Sequence, residues 1–108
     1  MMTMSEMETV ARNDIALIIV VMNDCAYGAE LQVCRLRNLP ESMAVFPDID
    51  FAPFAEGFGF RAATIRTLDD LKTVAPFLQR GNGPLLLDCK VNADVGAPFL
   101  AERPPGVY

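Results

Sequence analysis

The sequence contains no histidine and no tryptophan. The first absence excludes histidine-ligated zinc, a Ser-His or Cys-His catalytic pair, and imidazole acid–base chemistry supplied from within the chain. Carboxylates, thiols, hydroxyls and the backbone are what is left for chemistry. Positive charge is scarce as well: 9 Lys and Arg stand against 14 Asp and Glu, a net charge of −5, and the basic residues are scattered from Arg12 to Arg103. With no basic run, nucleic acid is not an expected partner. Cys25, Cys34 and Cys89 are odd in number and lack CxxC spacing, so neither a disulfide framework nor a zinc site is indicated. Cys89, inside the run LLLDCKV, reads as a packed core thiol. Long apolar stretches are also missing. The longest, Ile15 to Met22, is too short to span a bilayer, and the Met-rich N-terminus carries Glu6 and Glu8 where a secretory signal needs positive charge. A cytoplasmic protein with no membrane segment is expected.

What is present is a chain of 108 residues, 52% of them apolar, enough for one globular domain with a core. Ile15 to Met22 runs without polar interruption and is dense in β-branched side chains, the pattern of a strand buried on both faces of a parallel sheet. It stops at Asn23 and Asp24, followed by the turn Cys25-Ala26-Tyr27-Gly28. Ligands in open α/β sheets bind outside the carboxyl ends of the strands, which makes this loop a candidate site. Ordinary turn chemistry of Asn and Asp accounts for the same residues.

Around this strand the chain alternates. Thr3 and Glu6 form a capping box for a first helix that Asn13 ends in a left-handed conformation, with Met4, Met7, Val10 and Ala11 on one face. A weakly amphipathic helix is expected over 29–36, with Leu31, Val33 and Leu36 apolar, then a surface excursion over 39–49 containing Pro40 and Pro47. Asp50 caps a short helix over 51–58, with Pro53 in its first turn and Phe51, Phe54, Ala55 and Phe58 as its buried stripe. Residues 60–65 read as a strand. Thr67 caps the next helix, Asp69 and Asp70 suit its dipole, and Leu68, Leu71, Val74, Ala75 and Leu78 are expected to face inward, with Pro76 kinking or shortening it. Gly81-Asn82-Gly83 closes that helix, and 85–91 form a second strand buried on both faces. The expected architecture is a three-layer α/β/α unit with a mostly parallel sheet over 1–91, followed by a Pro/Gly-rich tail over 92–108. The first helix ought to follow a strand of its own, so the sheet is expected to lack its first strand.

The segment MTMSEMETVARNDIALIIVVMNDCAYG, followed by DIDFAPFAEGFGFRAATIRTLDDL and GPLLLDCKV, resembles the C-terminal pyrophosphate-binding domain of thiamine diphosphate-dependent enzymes, the group containing acetolactate synthase and benzoylformate decarboxylase. The resemblance covers Met2 to about Val91 and is poorest over 29–47. In that family a Gly-Asp-Gly triplet opens a motif and an Asn-Asn pair closes it. Magnesium, a hard ion that prefers near-octahedral oxygen ligands, bridges the cofactor phosphates to the triplet's Asp, the second Asn and a backbone carbonyl two residues beyond. The resemblance places Asp24 at the second Asn, offers the Ala26 carbonyl, and matches Tyr27 and Gly28 to the Tyr-Gly that passes close to the cofactor. The cofactor-binding residues it implies are Asn23, Asp24, Ala26, Tyr27 and Gly28, with Asp24 and Ala26 as metal ligands. A one-residue slip would make Asn23 the ligand instead.

Two departures bear on this reading. The pair is Asn23-Asp24, so a carboxylate stands where the family has an amide and adds negative charge beside a diphosphate. The Gly-Asp-Gly triplet is absent, and the family spacing puts it a few positions before Met1, as in a chain truncated just after it. The resemblance therefore implies a fragment of a magnesium- and thiamine diphosphate-dependent enzyme that decarboxylates or carboligates 2-oxo acids. In such enzymes the cofactor carries the carbanion chemistry. The activating glutamate comes from a pyrimidine-binding domain of the same or a neighbouring subunit in a homo-oligomer. None of Glu6, Glu8, Glu30, Glu41, Glu56 or Glu102 matches that motif, so the chain is not expected to catalyse alone. Two other readings stay open: a non-catalytic remnant acting only in protein association, and a different α/β fold such as a flavodoxin-like receiver or nucleotide binder. The second lacks a Gly-rich phosphate loop and leaves the NDCAYG loop unexplained.

Overall fold

Helices and strands alternate in the order α1 (Met4–Arg12), β1 (Ile18–Asn23), α2 (Gly28–Leu36), a 3-10 turn (Glu41–Met43), α3 (Ala52–Gly57), β2 (Arg61–Ile65), α4 (Leu68–Arg80) and β3 (Leu85–Lys90). The structure is a computed structural model and describes residues 4–96 and Pro98. The expected Thr3 cap, the Met4 side chain and the tail beyond these residues lie outside the described part. Two compact units are formed, one by 4–23 with 50–90, the other by 24–49 with 91–96.

The first unit holds the sheet. Its strand order is β1-β3-β2 and both pairings are parallel, with Ile18 and Arg61 each beside Leu85, and Val21 and Thr64 each beside Asp88. Side chains alternate between faces along each strand. On one face Leu86 packs with Ala55 and Phe60, and Met7, Val10, Ala11, Ile19, Val21 and Ala62 close around them, so α1 and α3 cover this side. On the other, Leu85 and Leu87 pack with Ile65 and with Val74 of α4. This is the expected small α/β domain with a parallel sheet, and β3 is covered on both faces because it lies in the middle.

β1 departs from expectation. It is an edge strand, and its residues facing the α4 side are open: Ile18 is 49% exposed, Val20 52% and Met22 67%. The reason is nonlocal, since α4 sits over β2 and β3 and no described residue covers β1 on that face. The edge IIVVMN carries no proline or charge, the usual protections of an unpaired strand. Concentration-dependent self-association is therefore expected in size-exclusion chromatography with light scattering, weakened by Val20→Lys. A monomer at every concentration tested would contradict this.

Local signals set the helix ends. Asp14, with φ 48°, takes the left-handed position after α1, where Asn13 was expected; Ile15 N–H donates to Val10 C=O at 3.0 Å, and the Asn13 carboxamide donates to Thr9 C=O at 2.7 Å. At the start of α4, Asp70 N–H donates to Thr67 Oγ1 at 3.3 Å, while the Asp70 carboxylate accepts from Thr67 N–H at 2.8 Å and Arg66 N–H at 2.9 Å. These donors, Arg66 first, hold the Asp70 carboxyl below its ordinary 3.8. A depressed folded-state value means that the support is present above the unfolded value and is lost as pH falls through the folded one. Asp70→Asn is expected to lower the thermal midpoint at neutral pH, with the gap to wild type closing below about pH 3.8.

α4 differs from its expected inward face. Leu68 is 80% exposed, and Leu71 and Leu78 are open as well. The helix meets the sheet chiefly at Val74, and the Arg61 guanidinium lies over the Phe77 ring, 5.2 Å from its centroid. Pro76 neither ends nor shortens α4, which continues to Arg80 before Gly81 caps it at φ 59°. On α3, Phe54 is half-exposed rather than buried, because an apolar cleft of about 320 Å³ opens among Met7, Val10, Phe51, Phe54 and Phe58. Among the described residues no helix is long and apolar enough to cross a membrane.

Candidate functional site

β1 ends on Asn23, whose side chain turns into the first unit. Asn23 is 8% exposed, and its Nδ2 donates to Asp88 Oδ1 at 2.9 Å. Asp88, on β3, is fully buried; its Oδ2 accepts from Phe51 N–H at 2.9 Å and lies 3.2 Å from Lys90 Nζ. Parallel pairing places Val21, Asp88 and Thr64 side by side on one face, which brings this polar group to the α3 side. Nearby on the chain, Asp50 accepts from Thr64 Oγ1 and from Ala52 N–H at 3.1 Å. The Thr64 hydroxyl, the Ala52 N–H and the Lys90 charge hold the Asp50 carboxyl below its ordinary range. Burial, with a smaller contribution from Asp88, pushes the Cys89 thiol up, so Cys89 stays a neutral thiol, half-buried beside the core.

The loop after Asn23 belongs to the second unit. Asp24 Oδ1 accepts from Ala26 N–H at 3.1 Å, an Asx-type turn. Cys25 then takes a left-handed φ of 56°, uncommon for a residue with a Cβ. The loop is pinned by an antiparallel bridge, Tyr27 N–H to Ala44 C=O and Phe46 N–H to Cys25 C=O, both 2.8 Å, and the Tyr27 ring meets Phe46 edge-on at 4.5 Å. α2 begins at Gly28, and no side-chain hydrogen bond caps it. Among the described residues none donates a backbone hydrogen bond to the Ala26 carbonyl.

Asp24 and Gly28 lie close together in the loop. A Cβ at Gly28 would stand 2.5 Å from Asp24 Oδ2, so the carboxylate occupies the space that only glycine leaves. The expected residues thus divide: Asp24, Ala26, Tyr27 and Gly28 form one loop, while Asn23 is committed to Asp88. Sequence reasoning missed Asp88, Lys90 and Thr64, and took Asp50 only as a helix cap, a role in which it accepts from Ala52 N–H. The available signal was a carboxylate inside the apolar strand LLLDCKV, which must find donors if it is to be buried.

The chemistry of these donors suits hard divalent cations. Among the described residues no group of three or more His, Cys, Asp and Glu could hold an ion by itself. One carboxylate and one carbonyl suit magnesium, which is commonly bound through one or two protein oxygens together with phosphate and water. They do not make a closed zinc or calcium cage.

A parallel sheet with a polar loop and a helix start after the carboxyl end of one of its strands defines the class of open α/β domains, which place their ligands at that end. The more particular assignment follows from comparison: the family model for the thiamine pyrophosphate enzyme C-terminal TPP binding domain matches residues 1–89, and the chain belongs to that family. Thiamine diphosphate is the cofactor this domain binds. A search of the curated proteins found no match.

Proposed function

We propose that this domain holds the diphosphate of thiamine diphosphate through Mg2+, with the Asp24 carboxylate and the Ala26 carbonyl as its protein ligands, in an acetolactate synthase-like enzyme acting on 2-oxo acids. The observation that carries the ligand assignment is the Asp24 carboxylate lodged against Gly28, where a Cβ would stand 2.5 Å from Oδ2. The burial of Asn23, 8% exposed, favours Asp24 over Asn23. Tyr27, bridged to Ala44, fixes the backbone ahead of α2, and the positive end of that helix's dipole would favour the charge of a diphosphate. When bound, the cofactor supplies carbanion stabilisation. This chain's residues bind and orient, and the activating acid is assigned to a pyrimidine-binding domain of the same or a neighbouring subunit.

The test is a calorimetric titration of thiamine diphosphate, with and without Mg2+, into this chain and into a version preceded by a strand ending in Gly-Asp-Gly. Metal-dependent binding by the longer chain, abolished by Asp24→Ala, is expected. Binding that survives Asp24→Ala would remove the ligand assignment. If neither chain binds, the alternative of a domain acting only in protein association gains, and the exposed face of β1 is the surface it would use.

A further inference from the structure

We infer that a basin at the amino ends of the strands binds an α-amino acid with a short apolar side chain, its carboxylate on Arg61 and its ammonium group on Asp14. The basin has a volume of about 570 Å³ and lies within the first unit, where Asp14 and Ala16 approach β1, Gly59 precedes β2 and the turn 81–84 precedes β3. It stands at the opposite end of the sheet from Asn23 and Lys90, so the inference is independent of any role of 24–28. Gly81 and Gly83 turn the chain with φ of 59° and 75° and put no side chain into the space. The Asp14 carboxylate rests on that turn, with Oδ1 only 3.2 Å from where a Cβ of Gly83 would stand. Two opposite charges therefore line the basin. The Arg61 guanidinium lies over the Phe77 ring, 5.2 Å from its centroid, which steadies it but offers no oxygen to its N–H groups. Among the described residues neither the Arg61 guanidinium nor the Asp14 carboxylate has an ion-pair or hydrogen-bond partner. A planar guanidinium takes a carboxylate through two parallel N–H bonds, and a carboxylate accepts from an ammonium group. A simple anion meets the charge of Asp14 and a simple cation that of Arg61, so a molecule carrying both charges fits best. The side chain follows from a niche of about 80 Å³ that shares Ala16, Arg61 and 81–83 with the basin and is closed by Leu17, Ile18, Phe77 and Leu85. Its further walls are apolar, and its size limits the occupant to a short aliphatic group.

The full chain, isotope-labelled, is titrated at neutral pH with L-2-aminobutyrate, and its amide signals are followed by NMR. Three further probes each lack one feature: butanoate the ammonium group, propylamine the carboxylate, glycine the side chain. Aminobutyrate is expected to move the Ala16, Gly59, Gly81 and Gly83 signals with a Kd on the order of 1 mM, reasonable for so small a ligand in an open site. Each reduced probe is expected to bind about tenfold more weakly, the loss of one charge-assisted hydrogen bond or of two buried carbons. Arg61→Gln is expected to weaken aminobutyrate to the level of propylamine, and Asp14→Asn to the level of butanoate. Both positions are exposed, and Asn suits the left-handed φ of 48° at Asp14, so the fold is kept; if a thermal melt shows otherwise, the four probes on wild type decide alone. Butanoate or propylamine binding as tightly as aminobutyrate overturns the proposal, and so does aminobutyrate binding that Arg61→Gln leaves unchanged. Equal binding of glycine overturns the assignment of the niche to a side chain. Signals at 16, 59, 81 and 83 that stay in place with every probe overturn the site itself.

Discussion

Asp88→Ala is expected to leave the domain largely unfolded at room temperature. Asp88 lies at the centre of the sheet with no exposed surface, and three donors converge on its carboxylate: Asn23 Nδ2, Phe51 N–H and Lys90 Nζ. Truncation removes the acceptor that the three share, and leaves Lys90 the more distant charge of Asp50. Removing one member of a buried ion pair destabilises by about 3–5 kcal/mol, because the remaining charge stays buried without compensation. A single small domain has roughly 5–15 kcal/mol in total, so most of the margin disappears. The side chain of Lys90 is only 10% exposed, which limits its escape to solvent. Urea denaturation followed by circular dichroism measures the change. A loss under about 1 kcal/mol, the size of one ordinary hydrogen bond, would mean that Lys90 and Asn23 find other partners.

Gly28→Ala has the opposite character, with little change in stability and a large change in binding. Gly28 opens α2 and its φ is not left-handed, so alanine fits the backbone and by helix propensity alone would gain up to about 1 kcal/mol. The obstacle is the Asp24 Oδ2, 2.5 Å from where the new Cβ would be. A carboxylate tip is the movable end of a side chain, so it rotates away and the helix stays. Rotation takes the oxygen from the position from which, on the proposed function, it would ligate Mg2+. Mg2+-dependent binding is expected to fall about 10- to 100-fold while the thermal midpoint stays level or rises. The expected divergence separates a binding-site effect from a folding defect. Equal Mg2+ dependence in Gly28→Ala and wild type would show that the carboxylate has no set position.

The contrast between these two sites marks what the sequence discloses. The Thr67–Asp70 capping box, the Gly81 stop and the doubly covered strand at 85–90 were legible because each is written within a few neighbouring residues. The NDCAYG loop was legible through its resemblance to a family motif. The openness of β1 was not, because an apolar run has the same composition whether a helix covers it or not; the position of α4 decides. Leu68, Leu71 and Leu78 have helical spacing without burial for the same reason. Asp88 could be suspected from its apolar surroundings, but its partners Asn23 and Phe51 are far away in sequence and meet it only through parallel register. The 2.5 Å approach at Gly28 is a matter of loop geometry that no spacing rule encodes.

The strand order β1-β3-β2 also governs when this sheet can exist. The middle strand, β3, is the last of the three in the chain, and every pairing in the sheet is made to it. During synthesis β1 and β2 therefore leave the ribosome without a partner and wait until Lys90 has emerged. Long-range parallel pairing of this kind forms slowly and leaves strand edges open to other chains meanwhile. Of the three described strands the apolar β1 is made first and waits longest, so a nascent-chain chaperone bound at Ile18–Met22 and released once β3 appears is the expected pattern in ribosome-bound chains of increasing length.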